Sequence, residues 1–168
     1  MKTLILAAGL AAALIASPAS AQSSADKSFI KEAIQGNLAE VQMGQLAQKN
    51  GGSDEVKNFG KTLEADHGQA NSKATQVAHE LKVTPPTEPN SKQKHAYDRA
   101  AKLTGANFDR EFARHMIIDH KEDIVKYQKA SKSKDTAVAG YASESLPTLH
   151  KHLEMAQSIA QGRKTSQR

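Results

Sequence analysis

Four long stretches of this chain repeat apolar residues every three to four positions, and nowhere does the strict alternation of a half-buried strand appear. That pattern confines the fold to packed helices. The first stretch, about Lys27–Lys49, aligns Ile30, Ala33, Ile34, Val41 and Gly44, and stops at Asn50-Gly51-Gly52. Ser53, followed by Asp54 and Glu55, predicts an N-cap with first-turn acids for the second stretch. Its stripe runs Val56, Phe59, Leu63, His67, Ala70, Ala74, Val77 and Leu81, and Pro85, Pro86 and Pro89 end it. Residues 82–104 read as a connection with a short helix near Lys92–Leu103, closed by Thr104-Gly105. The third stretch, about Asn107–Ala130, turns Phe108, Phe112, Met116, Ile117, His120, Ile124 and Tyr127 inward. The fourth, about Thr136–Ala160, does the same with Val138, Ala142, Leu149, Leu153, Ala156 and Ile159. Pro147 inside it removes a backbone hydrogen bond and is expected to bend the helix. The short polar Ser131–Asp135 link predicts an antiparallel pair. The expected fold is all-α, a four-helix bundle with one long connection between its second and third helices.

The start of the chain reads as an address. Lys2, an apolar run from Leu4 to Ala16, and the exit Ala19-Ser20-Ala21 form the pattern of a secretory signal peptide over residues 1–21. Cleavage is expected after Ala21, leaving a domain over 22–168 with its core at about 26–160 and an exported, periplasmic location. No later segment is apolar for long enough to cross a bilayer, so the processed protein is not expected to be transmembrane. The basic tail after Gly162 is expected to fray. With no cysteine, thiolate metal sites, disulfides and a cysteine nucleophile are excluded. A net charge of +5 with both signs interspersed gives no nucleic-acid arm. The lysines of 121–134 read as a solvated face with weak attraction for anionic lipid or envelope polymer.

Seven histidines stand in this lean chain. On a helical wheel His67, His120 and His152 point inward, each from a different long helix, while His79, His115 and His150 lie outward or on flanks. Imidazole suits zinc, copper, iron and nickel, and Glu40, Glu64, Asp66, Asp119 and Asp123 are carboxylates that can complete such a site. Glu64 and His67 form Glu-x-x-His, the spacing of di-iron ligands, but the third and fourth helices lack it, so a full ferritin-type di-iron centre is not expected. His67 and His120 sit at matching heights. Counting from a turn near Ser133 puts His152 farther along by roughly 9 Å at about 1.5 Å per residue. That favours a two-histidine site with carboxylates over a three-histidine one. The alternative is structural: neutral core histidines hydrogen-bonded to carboxylates, with Glu40 at the margin of the first helix as one such partner. Met43, Met116 and Met155 are too scattered for a copper-binding methionine cluster, and Ser143-Glu144-Ser145 lacks the glycines of a nucleophile elbow. No nucleophile–base pair or complete carboxylate set can be assembled, which points away from an enzyme. A short repeat joins the second and third stretches: Phe59, Asp66 and His67 recur as Phe112, Asp119 and His120, both reading Phe-x6-Asp-His, 53 residues apart.

The chain also resembles a known family. Gly36-Asn37-Leu38-Ala39-Glu40-Val41, Asp66-His67, Gly105-Ala106-Asn107-Phe108-Asp109, Asp119-His120-Lys121-Glu122, Leu146-Pro147-Thr148-Leu149 and His152-Leu153 resemble, in order, the secreted bacterial domain of unknown function 4142. The resemblance implies a ferritin-like bundle, exported, often labelled a membrane or outer-membrane protein, with no established reaction. Its pattern carries over onto Glu40, His67, His120 and His152, with iron, copper or zinc as the metals such a site would take. Glu64 lies outside that pattern. The expectation is an exported ferritin-like protein that binds a transition metal or serves in stress. The other reading is a non-catalytic envelope-binding module with a structural histidine–carboxylate network.

Overall fold

The computed structural model describes residues 18–162 of the chain, with side chains from residue 24 onward. The proposed leader therefore lies outside the described residues, apart from the short backbone stretch that opens the first helix, and so does the tail from 163. Among the described residues the protein is all-α. Its helices are α1 (Pro18–Asn50), α2 (Asp54–Glu80), α3 (Ser91–Ala100), α4 (Gly105–Ala130) and α5 (Thr136–Ala160). None is long and apolar enough to cross a membrane.

The local signals explain the boundaries. Ser53 caps α2 by accepting from the Val56 N–H at 3.3 Å. Asn90 and Gln93 form a reciprocal capping box that starts α3, which ends at Ala100, three residues before the sequence expectation. Asp135 accepts from the N–H groups of Ala137 and Val138 and starts α5. That helix runs through Pro147 without interruption.

The closest helix pairings are α1 with α2 and α4 with α5; α2 meets α5 and α1 meets α4 more sparingly, and α3 lies against α1 and α4. At one end, the close of α1, the starts of α2 and α4, and the close of α5 share a core around Phe59, Phe108, Phe112 and Met116. At the other end Ile30, Ile34, Val77, Tyr127, Val138 and Leu149 form a second core. It follows that α2 and α4 run in the same direction, and that residues 81–104 cross from one end of the molecule to the other. Asp109 pins the far side of this crossover by accepting from the N–H groups of Gly52 (2.8 Å) and Ser53 (3.0 Å).

Glycine sets how near α1 and α2 come. A Cβ on Gly60 would lie 2.5 Å from the Gly44 carbonyl oxygen, and one on Gly44 equally close to that of Gly60. Backbone meets backbone at this crossing, and no larger residue fits it. Between the two apolar cores lies a buried polar layer: Asn37 and Glu40 from α1, His67 from α2, His120 from α4 and His152 from α5.

Candidate metal centre

His67, His120 and His152 are each 5% exposed or less, so what their ring nitrogens touch decides what they can do. Every ring has one nitrogen engaged on its outer side. His67 Nδ1 stands 2.9 Å from Asn37 Oδ1, and the Asn37 amide N–H donates in turn to the Tyr141 hydroxyl at 3.0 Å. His120 Nδ1 stands 3.0 Å from the Met116 carbonyl oxygen one turn back on its own helix. His152 Nε2 stands 2.9 Å from Asp66 Oδ2. All three outer partners are oxygens that accept, so each ring places its N–H outward.

The remaining nitrogens, His67 Nε2, His120 Nε2 and His152 Nδ1, then carry lone pairs. One nitrogen from each ring lies within 4.8 Å of the others. His120 Nε2 and His152 Nδ1 are 3.3 Å apart, and His67 Nε2 is buried with no hydrogen-bond partner at all. A proton between His120 and His152 would require a doubly protonated ring somewhere in the cluster. Burial opposes that: it holds His67 well below the ordinary histidine range, lowers His120 to about 4, and lowers His152 despite the opposing pull of Asp66. Neutral imidazoles whose outer N–H groups are taken by an amide oxygen, a backbone carbonyl and a carboxylate have the outer arrangement typical of metal-ligating histidines. Tetrahedral zinc with bonds of about 2.0–2.1 Å places its ligand nitrogens roughly 3.3 Å apart. The His120–His152 separation already has that value.

His152 thus reaches the level of His120, contrary to the offset of roughly 9 Å expected from about 1.5 Å per residue. Side chains on a helix lean toward its N-terminus. On the antiparallel α4 and α5, His120 leans away from the 131–135 turn and His152 leans toward it, which closes the offset that a count of residues implies. The preference for two histidines plus carboxylates is corrected with it: the geometry groups three histidines.

The carboxylates go elsewhere. Glu40 is 3% exposed and is not grouped with the imidazoles; it faces Asp119 and Asp123. Burial and then those two neighbours raise its carboxyl well above the usual range, and burial raises Asp123 to about 6 against the pull of Lys126. The α1 residue that holds a histidine is Asn37, not Glu40. Glu64 lies on the flank of α2 toward α1 and accepts from Gln45 (2.9 Å) and Gln48 (2.6 Å), away from the grouped imidazoles, so Glu-x-x-His does not converge as a pair here. Asp66 serves as the partner that orients His152. His79, His95 and His150 are exposed, and His115 is half-buried beside Asp119. Sequence reasoning missed Asn37, although a signal existed: it occupies the inward position between Ile34 and Val41.

The two copies of Phe-x6-Asp-His meet across the core. The Phe59 and Phe112 ring centroids are 5.6 Å apart and edge-on, and those of His67 and His120 are 5.8 Å apart. Residues 11–159 match the family described as a domain of unknown function (DUF4142), and the chain belongs to that family. Neither the curated proteins nor the solved structures contain a match to it.

Proposed function

We propose that this DUF4142 chain is an exported, ferritin-like four-helix bundle that holds one transition-metal ion on His67, His120 and His152. The observation that carries the reading is the convergence of three buried histidines whose outer nitrogens are all engaged by acceptors, one of them with an orphaned Nε2. An orphaned buried acceptor costs about 1–3 kcal/mol, and a cation at the centre relieves it. Three imidazoles with no carboxylate or thiolate in the set favour zinc or copper over carboxylate-rich iron centres. The single long crossover between α2 and α4 supports the ferritin-like assignment, since that topology has one such connection. The leader pattern at 1–21 supports export. Function follows from the site and not from the bundle, so no oxidase activity is assigned.

Elemental analysis of untagged protein, exported and purified without chelator, tests this alongside His67→Gln and His120→Gln variants whose folding is checked by circular dichroism. Near-stoichiometric metal in the native chain, lost in either folded variant, is the expected result. A native chain without metal, which also takes up none from zinc, copper or iron, overturns it.

The second reading, a metal-free envelope module, draws on the run Asp66–His152–His120–Met116, in which every link is within hydrogen-bonding reach. It leaves His67 Nε2 unexplained and needs an extra proton that burial disfavours.

A further inference from the structure

Two cavities lie where α3 rests against α1 and α4, and none of the three grouped histidines is in their walls. The outer one is a chamber of about 240 Å3 whose walls include Gly36, Gln93, His115, Asp119 and Asp123. The inner one is a recess of about 10 Å3, lined again by Gln93, His115 and Asp119 and now also by Glu40. Helical spacing builds both. Gly36 and Glu40 stand one turn apart on α1, and His115, Asp119 and Asp123 follow at successive turns of α4. A Cβ on Gly36 would come no nearer than 3.9 Å to Asp123 Oδ2 and Gln93 Nε2, so the glycine leaves room beside them and closes no contact.

The charges of the two cavities are unequally answered. Lys92, Arg114 and Lys126 in the chamber wall pair with Glu122 (3.3 Å), Glu111 (2.6 Å) and Asp123 (3.1 Å). These bases and Arg99 are exposed, where solvent screens them. Deeper in, Glu40 and Asp119 have no ion-pair partner among the described residues, and Glu40 Oε2 is buried with no hydrogen-bond partner. Burial, and then Asp119, hold the Glu40 carboxyl well above its usual range, as befits an acid without a cation.

We infer that the recess receives the ammonium head of a small primary amine whose alkyl chain lies in the chamber. The inference stands apart from the metal reading. Volume sets the head group: a water takes about 10–15 Å3, an ammonium is of that size, and a planar guanidinium is larger. Donor count agrees. An ammonium carries three N–H groups, and the recess offers Glu40, Asp119 and the ring of His115, which burial biases toward its neutral, accepting form. A metal ion matches less well, because among the described residues only the three histidines bring ligand atoms within 4.8 Å of one another. The chamber suits the chain: Ala33, Ala96 and Ile118 give it apolar wall, and its volume falls below the roughly 300–1,000 Å3 of drug-sized sites.

Isothermal titration of the untagged mature chain with butylammonium at pH 8 tests this. Saturable binding of one equivalent is expected, with tetramethylammonium, which has no N–H to donate, at least about tenfold weaker. Glu40→Gln keeps the shape of the side chain and should lower butylammonium affinity at least about tenfold, since it removes a charge-assisted hydrogen bond. Gly36→Leu, which fills the chamber from α1, should do the same, and Glu40→Gln answers alone if that variant does not fold. His67→Gln should bind butylammonium as the wild type does, and Glu40→Gln should keep the wild-type metal content, which separates this site from the histidine centre. A wild type indifferent to butylammonium overturns the inference. So does equal affinity for tetramethylammonium, displacement of butylammonium by magnesium or calcium, or undiminished binding in folded Glu40→Gln. Tighter binding of Nα-acetyl-lysine methylamide than of butylammonium would assign the ammonium to a polypeptide and overturn the small-amine assignment.

Discussion

The two Phe-x6-Asp-His copies begin alike and end differently. Their phenylalanines pack on each other in one apolar core, and their histidines meet in the polar layer above it. This is what parallel helices placed across a core do with equal spacings. Their aspartates diverge. Asp66 on α2 reaches α5 and accepts from His152, an opposite polarity that orients a ring. Asp119 on α4 turns toward α1 and meets Glu40, whose carboxyl is held above its usual range by burial first and then by this like charge. The same Phe-x6-Asp-His spacing thus leads to a cluster of neutral histidines on one side and a cluster of buried carboxyls on the other. The neighbouring helix decides which.

The largest effect expected from breaking this symmetry is on packing. Phe59→Ala and Phe112→Ala each remove a fully buried ring and should cost about 3–5 kcal/mol. Urea unfolding of the double mutant tests their contact: the combined loss should fall short of the sum, because either truncation already removes the shared edge-on contact.

Next comes acid sensitivity in the metal-free protein. His120 is lowered to about 4 in the folded state, against an ordinary value near 6.5 when unfolded. Between these values only the unfolded chain takes up the proton, so stability falls as pH drops below about 6.5 and levels off once the folded state also protonates. His120 alone should contribute a loss of about 2 kcal/mol between pH 7 and pH 5, and His67 and His152 act in the same direction. His120→Gln should flatten that limb in chemical unfolding followed at both pH values. An unchanged slope would show that the imidazoles are not held neutral.

The aspartates themselves give the sharper contrast. Asp66→Asn should weaken metal binding about 10–100-fold, the usual cost of losing a ligand's outer partner, whereas Asp119→Asn should leave it within a few-fold. Competition titration with a chromogenic chelator measures both, and equal losses would erase the distinction between the two copies. The smallest effect lies on the carboxyl side and has the opposite pH sign. The raised carboxyls of Glu40 and Asp123 bind protons more tightly folded than unfolded, so their contribution is retained in acid and lost as pH rises through the folded values, about 6 for Asp123. Glu40→Gln should therefore raise Tm by a few degrees at pH 8, where about 1 kcal/mol corresponds to roughly 2–8 °C, and by less at pH 5.

Much of this was legible in the sequence because helical periodicity reports direction around an axis. The stripes placed His67, His120 and His152 inward, and Ser53, Asn50-Gly51-Gly52 and the proline cluster marked real boundaries. The inward histidines needed no neighbour to be found. Periodicity does not report which helix stands opposite, at what height, or with which atom. Glu40 and Asn37 lie on the same side of α1, three residues apart, yet only Asn37 bonds to a histidine, while Glu40 faces Asp119. His152 looked too distant by residue count because the opposite lean of side chains on antiparallel helices is a property of the pair. Local spacing was enough to give the four long helices, most of their limits and their buried faces, since those depend on contacts a few residues apart, although α1 begins nine residues before the expected Lys27 and α3 stops three short of Leu103. That three imidazoles come together and that Asp66 and Asp119 part company emerged only once the helices packed, since those outcomes depend on distances between helices that no local spacing encodes.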